Sequence, residues 1–130
     1  MSSDTPLEFF LDRSLGKATA RHLREHGAVV HLIADCYSDD AQNIEDQTWI
    51  AEGCRQGWVL LTKDQRIRHR SRELEALDGY LFCLSAGNAT VDVMAERLIA
   101  ALPAIARAVA RGESGFWLVY ADSSVRRKWP

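Results

Sequence analysis

The chain has 130 residues, 47% of them hydrophobic and 26% charged, and its formal net charge at pH 7 is −2. These values are typical of one soluble folded domain, and they argue against a disordered chain and against nucleic-acid binding through bulk positive charge. The three cysteines are far apart and form no C-x-x-C pair, which argues against a disulfide framework or a zinc site: Cys36, Cys54 and Cys83. With neither a signal peptide nor a bilayer-spanning apolar stretch visible, we expect a cytoplasmic protein without membrane association.

Short apolar runs alternate with amphipathic segments in the first half of the chain. The predicted elements are, in order, a strand at 7–11, a helix at 15–26 ended by Gly27, a strand at 29–33, a polar loop at 36–43, a helix at 46–56 and a strand at 58–62. The helix at 46–56 places Trp49, Ile50, Gly53 and Cys54 on one face. We therefore expect Trp49 to pack in the core rather than to stack on a base.

The second half continues the alternation. Its predicted elements are a helix at 70–77, a strand at 80–84, a helix from the capping residue Thr90 to Arg111, and a hairpin of strands at 116–120 and 125–129. Pro103 should bend or divide the long helix. The apolar stripe of that helix would cover either the sheet or a second copy of the chain, so a homodimer stays open. The pattern predicts a three-layer α/β/α fold with a mostly parallel central sheet, in one domain over residues 1–130.

Acidic side chains lie where the predicted strands end. Asp12 follows the first strand, Asp64 follows the strand at 58–62, and Asp46 opens the helix that leads into that strand. Because the carboxyl ends of parallel strands meet at one edge, we expect these carboxylates to converge. Mg²⁺ or Mn²⁺ would relieve their mutual repulsion and could activate water for attack on a phosphodiester. The alternative is that each aspartate only forms a turn or caps a helix, Asp46 above all.

A basic segment surrounds Asp64. Between residues 63 and 72 five basic side chains face this single acid. Lys63, Arg66 and Arg68 lie next to it in sequence and are well placed to hold a nucleic-acid backbone. A basic loop that only faces solvent is the alternative.

Three segments together resemble a PIN-like domain, and within that superfamily they are most similar to the compact branch that includes VapC-type toxins. The segments are Phe9-Phe10-Leu11-Asp12, Glu45-Asp46-Gln47-Thr48-Trp49-Ile50 and Gly57-Trp58-Val59-Leu60-Leu61-Thr62-Lys63-Asp64-Gln65-Arg66-Ile67-Arg68. The resemblance covers roughly residues 7–85. It implies a metal-dependent ribonuclease that hydrolyses RNA phosphodiester bonds, is silenced by a cognate antitoxin and holds its metal with Asp12, Asp46 and Asp64. PIN domains often carry a fourth acid, which has no clear match here; Asp40 and Glu45 are substitutes.

Two other functions stay open. A PIN-like domain with a degenerate site would bind RNA or a protein without cutting. A receiver-like phosphoacceptor domain also gathers acids around Mg²⁺ at strand ends, but it needs adjacent acids after its first strand, and Asp12 is followed by Arg13 and Ser14.

Overall fold

The computed structural model describes residues 7–37, 44–85 and 87–130. Its central sheet holds six strands: β1 (Glu8–Leu11), β2 (Val29–Leu32), β3 (Val59–Thr62), β4 (Tyr80–Leu84), β5 (Gly115–Val119) and β6 (Val125–Trp129). They lie in the order β2-β1-β3-β4-β5-β6, with parallel pairing throughout except between β5 and β6, which are antiparallel. The predicted α/β class and mostly parallel sheet are confirmed.

Helices cover both faces of this sheet. They are α1 (Gly16–Glu25), α2 (Ile33–Cys36), α3 (Asp46–Gln56), α4 (Ser71–Ala76) and α5 (Val91–Ala110), with a 3₁₀ helix at Gln65–His69. Alternate residues of each strand point to opposite faces, so Phe9 and Leu11 pack with α1 and α5, whereas Phe10 packs with α3. Two buried clusters result, one on each side of the sheet, and they give the three layers that the sequence predicts.

The long apolar stripe packs against the sheet. Met94, Leu98 and Ile105 are at most 4% exposed and belong to the cluster that includes α1 and the strands. Pro103 was predicted to bend or divide the long helix, and α5 is continuous through it, so the helix is not divided. Pro103 is exposed, where water can satisfy the carbonyl that a proline leaves unpaired.

Two short helices were not predicted. Strand β2 ends at Leu32 because Ile33 begins α2, and the segment after β3 forms the 3₁₀ helix instead of a plain loop. The rest of the predicted loop at 36–43 lies outside the described residues after Tyr37. Among the helices that the structure describes, none combines the length and hydropathy that crossing a bilayer would require.

Candidate active site

Asp12, Asp46 and Asp64 line one cavity of about 240 Å³. The cavity lies at the carboxyl ends of β1 and β3, which are neighbours in the sheet although α1, β2, α2 and α3 separate them in the chain. The chain passes from β1 to β2 on one side and continues at β3 on the other, so this is the point at which the strand order reverses. In open α/β sheets that crevice is the usual place for a ligand.

The carboxylate of Asp12 is buried and held by hydroxyl groups. Asp12 follows β1, extends its pairing by donating its backbone N–H to the carbonyl oxygen of Leu61 (3.3 Å), and is 7% exposed. Thr62 donates its hydroxyl to Oδ2 (2.6 Å), and Ser14 donates both its backbone N–H (3.0 Å) and its hydroxyl to Oδ1. Burial raises the pKa of Asp12 to about 6, even though these hydrogen bonds act to lower it.

Asp64 lies two residues beyond the end of β3, and its backbone is hydrogen-bonded to the hydroxyl group of Thr62. Its backbone N–H donates to Thr62 Oγ1 (3.0 Å), so one threonine connects two of the aspartates. The carboxylate caps the 3₁₀ helix by accepting a hydrogen bond from the backbone N–H of Arg66 (3.0 Å). The guanidinium of Arg66 also donates to both oxygens of the carboxylate, from Nε to Oδ1 (2.9 Å) and from Nη2 to Oδ2 (3.1 Å). The Arg66 hydrogen bond holds the pKa of Asp64 below its ordinary value.

Asp46 is the first residue of α3, and its side chain points into the site. Trp49 donates its indole N–H to Oδ1 (2.9 Å), and Arg70 donates to Oδ2 (3.1 Å). The N-cap position is Glu45, which makes no side-chain capping bond, so the capping alternative for Asp46 is wrong. Asp12 and Asp64 do have the local roles that the alternative assigns, because Asp12 closes a turn with Ser14 and Asp64 caps the 3₁₀ helix. Both side chains nevertheless line the same cavity as Asp46.

The donor chemistry fits a hard divalent cation, whereas the present side-chain conformations leave its site unassembled. Carboxylate oxygens are the ligands that Mg²⁺ and Mn²⁺ prefer. Within the part of the chain that the structure describes, no three acidic, histidine or cysteine side chains come close enough to hold a metal ion. In these conformations Arg66 pairs with both oxygens of Asp64, and Arg70 pairs with one oxygen of Asp46. An ion that engages all three aspartates would compete with Arg66 and Arg70 for the carboxylate oxygens.

The other predicted site residues lie at different distances from the cavity. Arg66 lines it, and Lys63 adjoins it by donating its backbone N–H to Ser14 Oγ (3.1 Å). Arg68 is half-buried on the 3₁₀ helix and is not among the residues that line the cavity. Glu45 lines a neighbouring cavity of about 350 Å³. Asp40 lies outside the described residues, and among those that are described no fourth carboxylate lines the cavity of the three aspartates.

Sequence reasoning missed the partners of the carboxylates. Ser14 follows Asp12 by two residues, a spacing that favours a turn closed by the aspartate side chain, so this signal was readable. Arg70 stands in the basic segment, but its pairing with Asp46 depends on how α3 packs beside α4. Trp49 is 1% exposed, which confirms its predicted place in the core.

Comparisons with known proteins agree with this geometry. The sequence profile of the family described as "PIN like domain" matches residues 7–85, which include all three aspartates. A curated protein of Mycobacterium tuberculosis (strain ATCC 25618 / H37Rv), named "Putative ribonuclease VapC45", is 35% identical over 104 residues, which are 76% of this chain and 75% of that protein. No solved structure matches the chain significantly.

Proposed function

Because the chain belongs to the PIN-like domain family, we propose that it is a VapC-type ribonuclease that hydrolyses RNA phosphodiester bonds as the toxin of a toxin–antitoxin pair. The observation that carries the proposal is the single cavity lined by Asp12, Asp46 and Asp64 within the segment that matches the family. We further propose that residues 1–130 form one domain, since α5, β5 and β6 complete the sheet and core of the matched segment. The proposed location is the cytoplasm, because RNA is the proposed substrate.

The three aspartates are the proposed ligands of Mg²⁺ or Mn²⁺. When bound, such an ion supplies charge neutralisation on the phosphate and lowers the pKa of a water molecule. Asp12 brings to that ion a buried carboxylate whose orientation Ser14 and Thr62 fix. Asp64 and Asp46 would complete the ligand set, in competition with their hydrogen bonds to Arg66 and Arg70.

Arg66 can exchange one anionic partner for another. It holds Asp64 at 2.9 Å, yet its side chain is 76% exposed, so it can swing toward an RNA phosphate without desolvating its charge. Lys63 and Arg68 lie on the same stretch of chain, on either side of Arg66 in sequence, and we propose that all three bind the RNA backbone. The proposed protein partner is a cognate antitoxin, which would silence the enzyme by covering this cavity.

The receiver-like alternative shares the sheet order, because receivers also place their first five strands as 2-1-3-4-5. Sheet order therefore does not separate the two functions. The acid pair that a receiver needs after β1 is absent, since Arg13 and Ser14 occupy those positions. No observation favours phosphoacceptor chemistry here.

The test is cleavage of a labelled single-stranded RNA with Mg²⁺, with Mn²⁺ and with excess chelator. We expect cleavage only with a divalent cation, and a fall of more than about 100-fold for Asp12→Asn and Asp64→Asn. Asp78→Asn is the matched control, because Asp78 is exposed and lies outside this cavity. Far-UV circular dichroism checks that each variant is folded. Equal cleavage in chelator, or by both active-site variants, would exclude the metal mechanism at these aspartates, whereas no cleavage by the folded wild-type protein would leave a binding module without activity.

A further inference from the structure

A second, smaller cavity adjoins the candidate active site. It has a volume of about 160 Å³ and lies between the start of α1 and the end of β2. It shares Asp12, Arg13 and Ile33 with the cavity of the three aspartates. The two cavities therefore lie next to one another, so this second space is within reach of a molecule bound with its reacting group at the aspartates.

The walls of this cavity are mainly apolar, and its charged lining consists of the carboxylate of Asp12 and two basic side chains. Leu32 and Ile33, which are 8% and 4% exposed, supply one wall, together with Ala34 of α2. Gly16 lies opposite and has no side chain, and a Cβ atom built there would meet no atom within 4 Å. Arg13 and Lys17 bring positive charge to the same cavity. The combination suits a flat ring with apolar faces that is joined to anionic groups.

The size of the cavity selects among such rings. An apolar protein cavity of about 150 Å³ accepts one benzene molecule, so a space of this size covers a single six-membered ring and leaves part of a fused double ring outside it. Discrimination by size in an apolar pocket commonly reaches about tenfold or more. Single-stranded RNA offers such rings, because its unstacked bases can turn outward into protein pockets while the phosphates stay at the surface.

We propose that this cavity is a base pocket, which accepts the pyrimidine base of a nucleotide adjacent to the scissile phosphate. The proposal rests on the proposed ribonuclease function and adds a substrate preference to it. The ring lies beside Asp12 and against Leu32 and Ile33, while Arg13 and Lys17 face the neighbouring phosphates. The basic side chains thus meet the phosphates beside the ring, and the apolar side chains cover the faces of the ring.

The first arm of the test measures cleavage. A randomised single-stranded RNA is digested with Mg²⁺ or Mn²⁺, and the new ends are sequenced. We expect uracil or cytosine at one position adjacent to the cut to exceed adenine and guanine by roughly tenfold. Ala34→Leu fills the pocket and should remove this preference, whereas Cys36→Leu adds similar bulk to an exposed position of the same helix and should retain it. Circular dichroism confirms that both variants are folded.

The second arm measures binding without cleavage. The Asp64→Asn protein is used, because Asp64 does not line the base pocket. Its ligands are RNA hexamers that carry one base, uracil or adenine, in an otherwise abasic backbone. We expect the uracil hexamer to bind roughly tenfold more tightly, and Ala34→Leu in the same background to abolish the difference.

The two arms separate failure of the pocket from failure of the enzyme. Cleavage without any pyrimidine preference, or a preference that survives in folded Ala34→Leu, overturns the base pocket and leaves the ribonuclease standing. Uracil-selective binding without cleavage by the wild-type protein supports the pocket and overturns the ribonuclease. Equal binding of both hexamers counts against the pocket whatever the cleavage result.

Discussion

Replacing Asp12 with asparagine should stabilise the metal-free protein at alkaline pH. Burial raises the pKa of Asp12 to about 6 from an ordinary value of 3.8. Above pH 6 the ionised carboxylate is therefore less stable in the folded protein than in the solvated unfolded chain. Asparagine keeps the local contacts. Its oxygen can accept the two Ser14 donors, and its amide can donate to the hydroxyl oxygen of Thr62.

The magnitude follows from the pKa shift. Each unit of pKa difference between folded and unfolded states corresponds to about 1.4 kcal/mol, so a rise from 3.8 to about 6 destabilises the ionised folded protein by about 3 kcal/mol. An acid whose pKa is raised in the folded state lowers the free energy of unfolding when it is ionised. The destabilisation is absent below the unfolded pKa, grows as pH rises, and is complete above the folded pKa. Asp12→Asn removes it.

The assay is urea unfolding in excess chelator at pH 8 and at pH 4. We expect Asp12→Asn to be more stable than the wild-type protein by about 3 kcal/mol at pH 8 and by less than about 1 kcal/mol at pH 4. Asp78→Asn, an exposed position, should change neither value by more than about 0.5 kcal/mol. Adding Mg²⁺ or Mn²⁺ at pH 8 should stabilise the wild-type protein and narrow the gap. A variant that is no more stable at pH 8, or equally stabilised at both pH values, would refute the reasoning.

Three further predictions concern packing and polar contacts. Thr62→Val removes the hydroxyl that donates to Asp12 (2.6 Å), so we expect the free energy of unfolding to fall by about 1–3 kcal/mol. Thr62→Ser keeps a hydroxyl group and should retain most of the wild-type stability. Wild-type stability in the valine variant would contradict this prediction. Gly53→Ala places a Cβ atom 2.8 Å from Phe10 Cδ2, so in thermal melts we expect a loss of about 1–3 kcal/mol rather than the gain that helix propensity alone predicts. Cys83 is fully buried, and burial raises the pKa of its thiol to about 12. At pH 8 we therefore expect iodoacetamide to modify the exposed Cys36 on α2 long before Cys83. Rapid modification of Cys83 in the native protein would count against its burial.

The order of elements was predictable because the four central strands, β1, β3, β4 and β5, are buried on both faces. β3 reads V-L-L-T and is buried at all four positions, which gives an apolar run too short for a helix and bounded by Gly57 and Lys63. The convergence of Asp12 and Asp64 followed from the same pattern, since each comes just after a parallel strand. Helix α2 and the 3₁₀ helix escaped prediction because segments of four and five residues carry too little periodicity to detect.

The partners of the carboxylates could not be read from spacing. Arg70 meets Asp46 across 24 positions of sequence, and that contact depends on the packing of α3 beside α4. Five basic residues between 63 and 72 were equally eligible on charge alone. Similarly, the hydroxyl of Thr62 bridges two aspartates because β1 and β3 are neighbours in register, which no local pattern states.

The two edges of the sheet bear on how the protein behaves at high concentration. A bare edge strand is a template for further strands, and proteins avoid such growth with short or charged edges. Strand β2 forms one edge and has only four residues, while β6 forms the other and exposes Arg126 and Arg127. Bringing two β6 edges together would set like charges opposite one another. Both edges of the described sheet therefore carry features that oppose pairing with a further strand.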